Sequence, residues 1–225
     1  MTRMRNPFSL KSPSSMRRHH RGDPAHVRAE RRTTTIALTS GKGGVGKSNL
    51  AVNLAACIQQ CGQQVALVDL DMGLANADVL LNAAPSLNLA HVIRNSKSVE
   101  QVAHVTTSGM KLIAGVPGAT EGFRHEGEIP ALIERIKSVS ADIIFFDCAA
   151  GIGSNVTQFA RAADIVLVVT TPEPTALVDA YATIKTLLKE GYEGSVRLLV
   201  NMVESRAEAR KAFSRVRGAC EKFMN

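Results

Sequence analysis

The chain of 225 residues is 45% hydrophobic and 21% charged, the composition of a globular chain long enough to bury one substantial core. No apolar run approaches the length of a membrane span, and no signal-peptide core stands near Met1, which sets aside a membrane-spanning or secreted reading. The formal net charge of +7 is concentrated in residues 1–32, where nine Lys and Arg face only Asp23 and Glu30, leaving residues 33–225 neutral. The charge therefore describes a tail and not a domain.

That tail holds three prolines, two adjacent histidines and little apolar content, so residues 1–32 are expected to be disordered. It could be attracted to acidic lipid, nucleic acid or an acidic partner, or serve as a solvated leader with no target. Cys57, Cys61, Cys148 and Cys220 fit no zinc or disulfide framework, and a reduced, cytosolic protein is expected. His91, His104 and His125 lack ligand spacing.

From residue 33 onward, near-continuous runs of Ile, Val, Leu and Phe at 36–39, 65–69, 143–147, 165–171 and 196–201 read as strands of a parallel sheet covered on both faces. A further strand is expected at 112–116. Helices are expected at 49–61, 89–94, 99–103, 129–139, 155–163, 176–190 and 207–223, with Gly62 and Gly191 as stops. Residues 121–127 read as a polar surface loop. The fold class is thus α/β, with a mostly parallel twisted sheet between helices. Each main strand ends in polar groups (Ser40, Asp69, Asp147, Thr170 with Thr171, Asn201), and open α/β sheets bind ligands at that edge.

Between the first strand and the first helix lies Gly41, Lys42, Gly43, Gly44, Val45, Gly46, Lys47, Ser48, followed by Asn49. Strand, glycine-rich loop ending in Gly-Lys-Ser, and helix together form a P-loop pattern. Glycines let the backbone aim several N–H groups at one phosphate, and the helix N-terminus adds its positive end. Lys47 would place a charge on the phosphates, and the Ser48 hydroxyl could ligate Mg²⁺. After the second strand, Asp69 and Asp71 could divide two jobs, one near the metal's water shell and one at an attacking water. Asp147 closes an apolar strand in the manner of a Walker B acid. Cys148 to Gly153 reads as a flexible small-residue turn suited to sensing the γ-phosphate. Asn201 could pair with a purine edge or simply cap the turn before the final helix. That helix carries Ala209, Ala212, Phe213, Val216, Cys220 and Phe223 on one stripe, as a covering helix with charges to water would.

The second lysine of the loop, Lys42, makes Lys-Gly-Gly-Val-Gly-Lys-Ser at 42–48 resemble the deviant Walker A loop of the MinD/ParA group of P-loop ATPases. That resemblance implies a three-layer P-loop NTPase domain over 33–225, with ATP and Mg²⁺ as cofactors and an ATP-bound homodimer. It implies catalytic roles for Lys42 (a lysine reaching into the partner's site), Lys47 and Asp71 (orienting the hydrolytic water). It also implies nucleotide contacts from the loop 41–49 and Asn201, and metal contacts from Ser48, Asp69 and Asp147. Residues 69–78, 170–185 and 199–203 are similar to the flagellar-number regulators of the FlhG (FleN/YlxH) type. The implied function is an ATPase switch controlling flagellar number and placement. Implied partners are an FlhF-like GTPase, flagellar switch proteins or a flagellar transcription regulator. The implied location is the cytoplasm, with weak peripheral contact at the inner face of the membrane.

The pattern departs in three places. Cys148 stands where the family has Thr, residues 23–28 match the family's FlhF-contacting helix only loosely, and the family continues past residue 225. The resemblance thus implies a C-terminally truncated chain, without the last strand or strands of the sheet. The alternatives are a ParA-like partitioning ATPase, for which the basic tail is the only hint and DNA binding is not expected, and a catalytically defective ATP-binding module that docks partners. Iron–sulfur carrier relatives are disfavoured, because no paired cysteines stand near the implied dimer edge or the chain end.

Overall fold

The computed structural model describes residues 33–116 and 127–224. The tail and residues 121–126 of the expected surface loop lie outside the described residues. In chain order the elements are β1 (Thr34–Ser40), α1 (Lys47–Gln60), β2 (Val65–Leu70), α2 (Ala77–Leu80), α3 (Leu89–Ile93), α4 (Val99–Val102), β3 (His104–Val105), β4 (Lys111–Ile113), α5 (Glu128–Lys137), β5 (Ile143–Ala150), α6 (Ser154–Arg161), β6 (Ile165–Thr170), α7 (Pro174–Lys189), β7 (Ser195–Val200) and α8 (Arg206–Phe223). The strands form one sheet in the order β3-β4-β2-β5-β1-β6-β7. Among the described residues only the β3–β4 pair is antiparallel. Parallel neighbours need a crossover helix, which is why helices alternate with strands along the chain.

The two-residue period of the strands divides the core. On one face Ile144, Phe146 and Cys148 of β5 pack with Leu132 and Ile136 of α5, Phe159 of α6 and Ile184 of α7. On the other, Phe145 joins Leu67 and Leu38 against Ala51, Val52 and Ala55 of α1. α1 alternates small residues at this contact, so the helix carrying the glycine-rich loop lies close on the sheet. Gly62 and Gly191 do end α1 and α7, at φ +91° and +80°. In each case the next two N–H groups return to the last turn: Gly62 to Gln59 O and Gln63 to Ile58 O, Gly191 to Leu188 O and Tyr192 to Leu187 O. A left-handed residue is required there, and glycine adopts it without a Cβ clash.

Two expectations need correction, and two short elements join them. The strand placed at 112–116 runs over Lys111–Ile113, because Ala114 turns its carbonyl to Leu89 N at the start of α3 instead of continuing the ladder. A short strand, β3, precedes it as an antiparallel edge. The segment after Asp71 contains a one-turn helix, α2. Cys148, Ala149 and Ala150 are strand and not turn, because β5 has a neighbour on each side: Leu70 lies opposite Cys148 and Ser40 opposite Ala150.

The amino end of β6 is tied to β1 by side chains. Asp164 Oδ2 accepts from Thr35 N–H at 2.9 Å and Thr35 Oγ1 at 2.8 Å, while Asp164 N–H donates back to Thr35 Oγ1 at 2.9 Å. Thr35 is buried, so losing the carboxylate strands two donors. Asp164→Ala is expected to cost about 2 kcal/mol. A lowered urea midpoint with unchanged far-ultraviolet dichroism checks this, and an unchanged midpoint contradicts it.

Candidate phosphate-binding site

The glycine-rich loop turns from β1 into α1 at the carboxyl edge of the sheet, where β2, β5, β6 and β7 also end. Three glycines have separate reasons to be there. A Cβ on Gly41 would stand 2.5 Å from Asp179 O of α7, so the loop is pressed against that helix. Gly44 has φ +79° and Gly46 φ +85°, conformations that bring successive N–H groups to one side. Gly46 is also the N-cap of α1.

Lys47 is folded inward. Its Nζ lies 2.6 Å from Asp147 Oδ1, with side-chain exposures of 7% and 0%, and 3.3 Å from Ser48 Oγ. The structure thus brings together Lys47, Ser48 and Asp147. Asp147 Oδ2 and Thr39 Oγ1 are buried with no hydrogen-bond partner among the described residues. An orphaned carboxylate oxygen and a serine hydroxyl, both on residues that meet the same lysine, are donors of the kind a hard cation and its water shell take. Ser48 and Asp147 therefore fit the expected Mg²⁺.

Lys42 points the other way, to the rim. Its Nζ lies 2.5 Å from Glu173 Oε2 and 3.3 Å from Thr175 Oγ1, with Lys42 and Glu173 41% and 62% exposed. Glu173 is the N-cap residue of α7 but does not use its side chain as a cap. The two lysines therefore answer to different carboxylates. The contact of Glu173 and Thr175 with the loop has no local signal in the sequence. Only a helix start facing the loop in space reveals it.

Asn201, just past β7, donates from Nδ2 to Val45 O at 2.9 Å and would meet a Cβ on Gly46 at 2.5 Å. Its amide steadies the loop, a role that the sequence did not suggest. Asp71 Oδ1 accepts from Gly73 N–H at 3.2 Å and Leu74 N–H at 3.0 Å, so it stands in a tight turn at the same edge. Asp69 is buried one residue from the end of β2, opposite Asp147 in register. Burial pushes its carboxyl up to about 6, the Asp147 charge adding to the rise and three N–H groups opposing it. Its oxygens face those three N–H groups of its own loop. Gly151 N–H donates to Ser40 O at 2.7 Å, clipping the end of β5 to the end of β1. Cys148 is buried, and burial pushes its thiol up to about 12.

The ParA family model, described as NUBPL iron-transfer P-loop NTPase, matches residues 31–218. The chain is 39% identical over 194 residues to the antiactivator FleN of Pseudomonas aeruginosa, covering 84% of this chain and 69% of that protein. It is 37% identical over 188 residues to the flagellum site-determining protein YlxH of Helicobacter pylori, covering 82% of this chain and 63% of that protein. Thus the chain spans somewhat under two thirds of the length of the second relative. Among solved structures, the cell division ATPase MinD of Pyrococcus furiosus superposes with a TM-score of 0.68 at 25% identity, covering 81% of this chain and 79% of that one.

Asn201→Ala removes both the bond to Val45 and the wall beside Gly46. The expected outcome is faster hydrogen exchange of the amides of residues 43–46, by roughly tenfold, with about 1 kcal/mol lost overall. Asp71→Ala leaves those amides unchanged. Equal exchange in the Asn201 variant and the parent would refute the bracing role.

Proposed function

The chain belongs to the ParA/MinD family of P-loop NTPases, and from that premise we propose that it is an ATP-dependent dimerising switch regulating flagellar number and placement. One observation carries the reading: the loop holds two lysines in unlike settings, Lys47 buried on Asp147 and Lys42 at the rim on Glu173. The 39% identity to FleN and 37% to YlxH support the flagellar assignment.

The chemistry follows from those settings. Lys47 exchanges Asp147 for the β- and γ-phosphates when ATP enters, and Asp147 and the Ser48 hydroxyl are the residues that would hold Mg²⁺, which when bound would supply neutralisation of charge on the phosphates. The N–H groups of residues 43–48 cradle the phosphates, and Asn201 borders the base. Asp71 orients the attacking water. Lys42 is held by an exposed pair, a class worth only about 0.2–1 kcal/mol, so it can leave Glu173 for the phosphates of a second subunit. A cation supplied only by a twin makes hydrolysis slow in the single chain and dependent on dimerisation. Partners in this reading are an FlhF-like GTPase, flagellar switch proteins or a transcription regulator. Its place is the cytoplasm with peripheral contact at the membrane. Among the described residues no helix is long and apolar enough to cross a membrane.

Lys47→Ala is expected to abolish ATP binding by calorimetry. Lys42→Ala should keep ATP affinity within about threefold while turnover falls at least about 100-fold, and equal loss of both would refute the trans assignment. Asp71→Ala should accumulate as an ATP-bound dimer by light scattering; a monomer at all concentrations contradicts that role. For the cellular half, the chain is expressed in Pseudomonas aeruginosa lacking FleN and flagella are counted per cell. The expected result is a changed count with the parent chain and none with Lys47→Ala; no change with either removes the flagellar assignment.

A further inference from the structure

We infer that Asp69 is the positioning residue that fixes where Asp71 stands, and not a ligand of the metal. The catalytic half of this inference rests on the ATPase reading; the structural half does not.

Asp69 lies at the end of β2 and is 1% exposed. Its Oδ1 accepts from Asp71 N–H at 3.0 Å, and its Oδ2 accepts from Asn76 N–H at 2.9 Å and Ala77 N–H at 3.0 Å. A carboxylate offers about four lone-pair directions, so most of its capacity is spent on a single loop of its own chain. The three N–H groups bracket that loop: one lies just before the Asp71 turn and two lie where the chain enters α2. Asn76, the N-cap of α2, makes no side-chain cap, and Asp69 does that work from the strand. The backbone from 71 to 77 is thereby drawn around one buried centre, the Asp69 carboxyl group. Asp71, two residues along and itself turned back on Gly73 and Leu74 N–H, has its place set by that centre.

A second contact boxes the centre in. Gly115 follows β4, the neighbour of β2, and a Cβ there would stand 2.7 Å from Ala75 Cβ and 3.2 Å from Asp69 Cγ. The loop is thus gripped between the Asp69 carboxylate and a bare stretch of backbone. The N–H groups that hold Asp69 are themselves partly or wholly buried, so a cation beside Asp147 would compete with them for its carboxyl oxygens.

The test uses the full chain with Asp69→Asn, and Gly115→Ala as a second variant that displaces the same loop while keeping every carboxylate. In the nucleotide-free protein, hydrogen exchange at residues 71, 76 and 77 should rise at least tenfold in Asp69→Asn, with the amides of residues 43–48 unchanged. Under MgATP, kcat should fall at least 30-fold in Asp69→Asn and at least fivefold in Gly115→Ala. The KM for ATP and the Mg²⁺ midpoint should stay within twofold in both. A tenfold higher Mg²⁺ midpoint with loop exchange unchanged overturns the inference in favour of metal ligation. Unchanged kcat in both variants overturns it as well. If the parent chain hydrolyses no ATP, the ATPase reading fails by itself, and the exchange data still decide whether Asp69 holds the loop.

Discussion

Lys47 and Asp147 meet at 2.6 Å, both almost wholly out of water, and the carboxyl edge of the sheet is arranged around that contact. Desolvating two such ions costs several kcal/mol each, which their attraction offsets only when the geometry is good. Removing either partner would leave a buried charge alone. The pair therefore holds the start of α1 against β5 until something more anionic takes the ammonium. A triphosphate with its cation meets that requirement on both sides at once, giving the lysine more negative charge and the aspartate a new positive one.

The remaining groups at this edge differ in how firmly they are held, and that difference organises the chemistry. Asp69, Asn201 and the Gly151 to Ser40 clip are buried or braced by backbone atoms. Lys42 and Glu173 are half in water, where a pair exchanges partners at little cost. Rigid groups can place a phosphate and a water; an exchangeable one can cross to another subunit. The leading and trailing lysines of one short loop are thus suited to opposite tasks by burial alone.

Much of this was legible in the residue order. Five strands and the longer helices follow from apolar runs, and Gly62 and Gly191 mark helix ends for a reason of backbone geometry. Lys47 and Ser48 follow from the strand, loop and helix pattern, and Asp147 from the apolar run that it closes. What escaped was set by neighbours in space. β5 extends through Ala150 because β1 and β2 flank it, which no local propensity of Cys-Ala-Ala announces. The one-turn α2 and the edge strand β3 are too short for a periodic signal. The grip of Asp69 on residues 71–77 and of Asn201 on Val45 depends on side-chain direction at strand ends, and two acids spaced as Asp69 and Asp71 look alike until one is seen to face inward.

The cysteines have a practical consequence. Cys57 and Cys61 are exposed at the far end of α1, whereas burial pushes the Cys148 thiol up to about 12 and that of Cys220 up to about 11. Thiolates do the reacting, so alkylating dyes should find the exposed pair first. From Lys47 to Gln60 the helix has 14 residues, about 21 Å of axis, with the P-loop at one end and the dye at the other. The unmutated polypeptide thus comes with a fluorescent handle on the lever that nucleotide grasps.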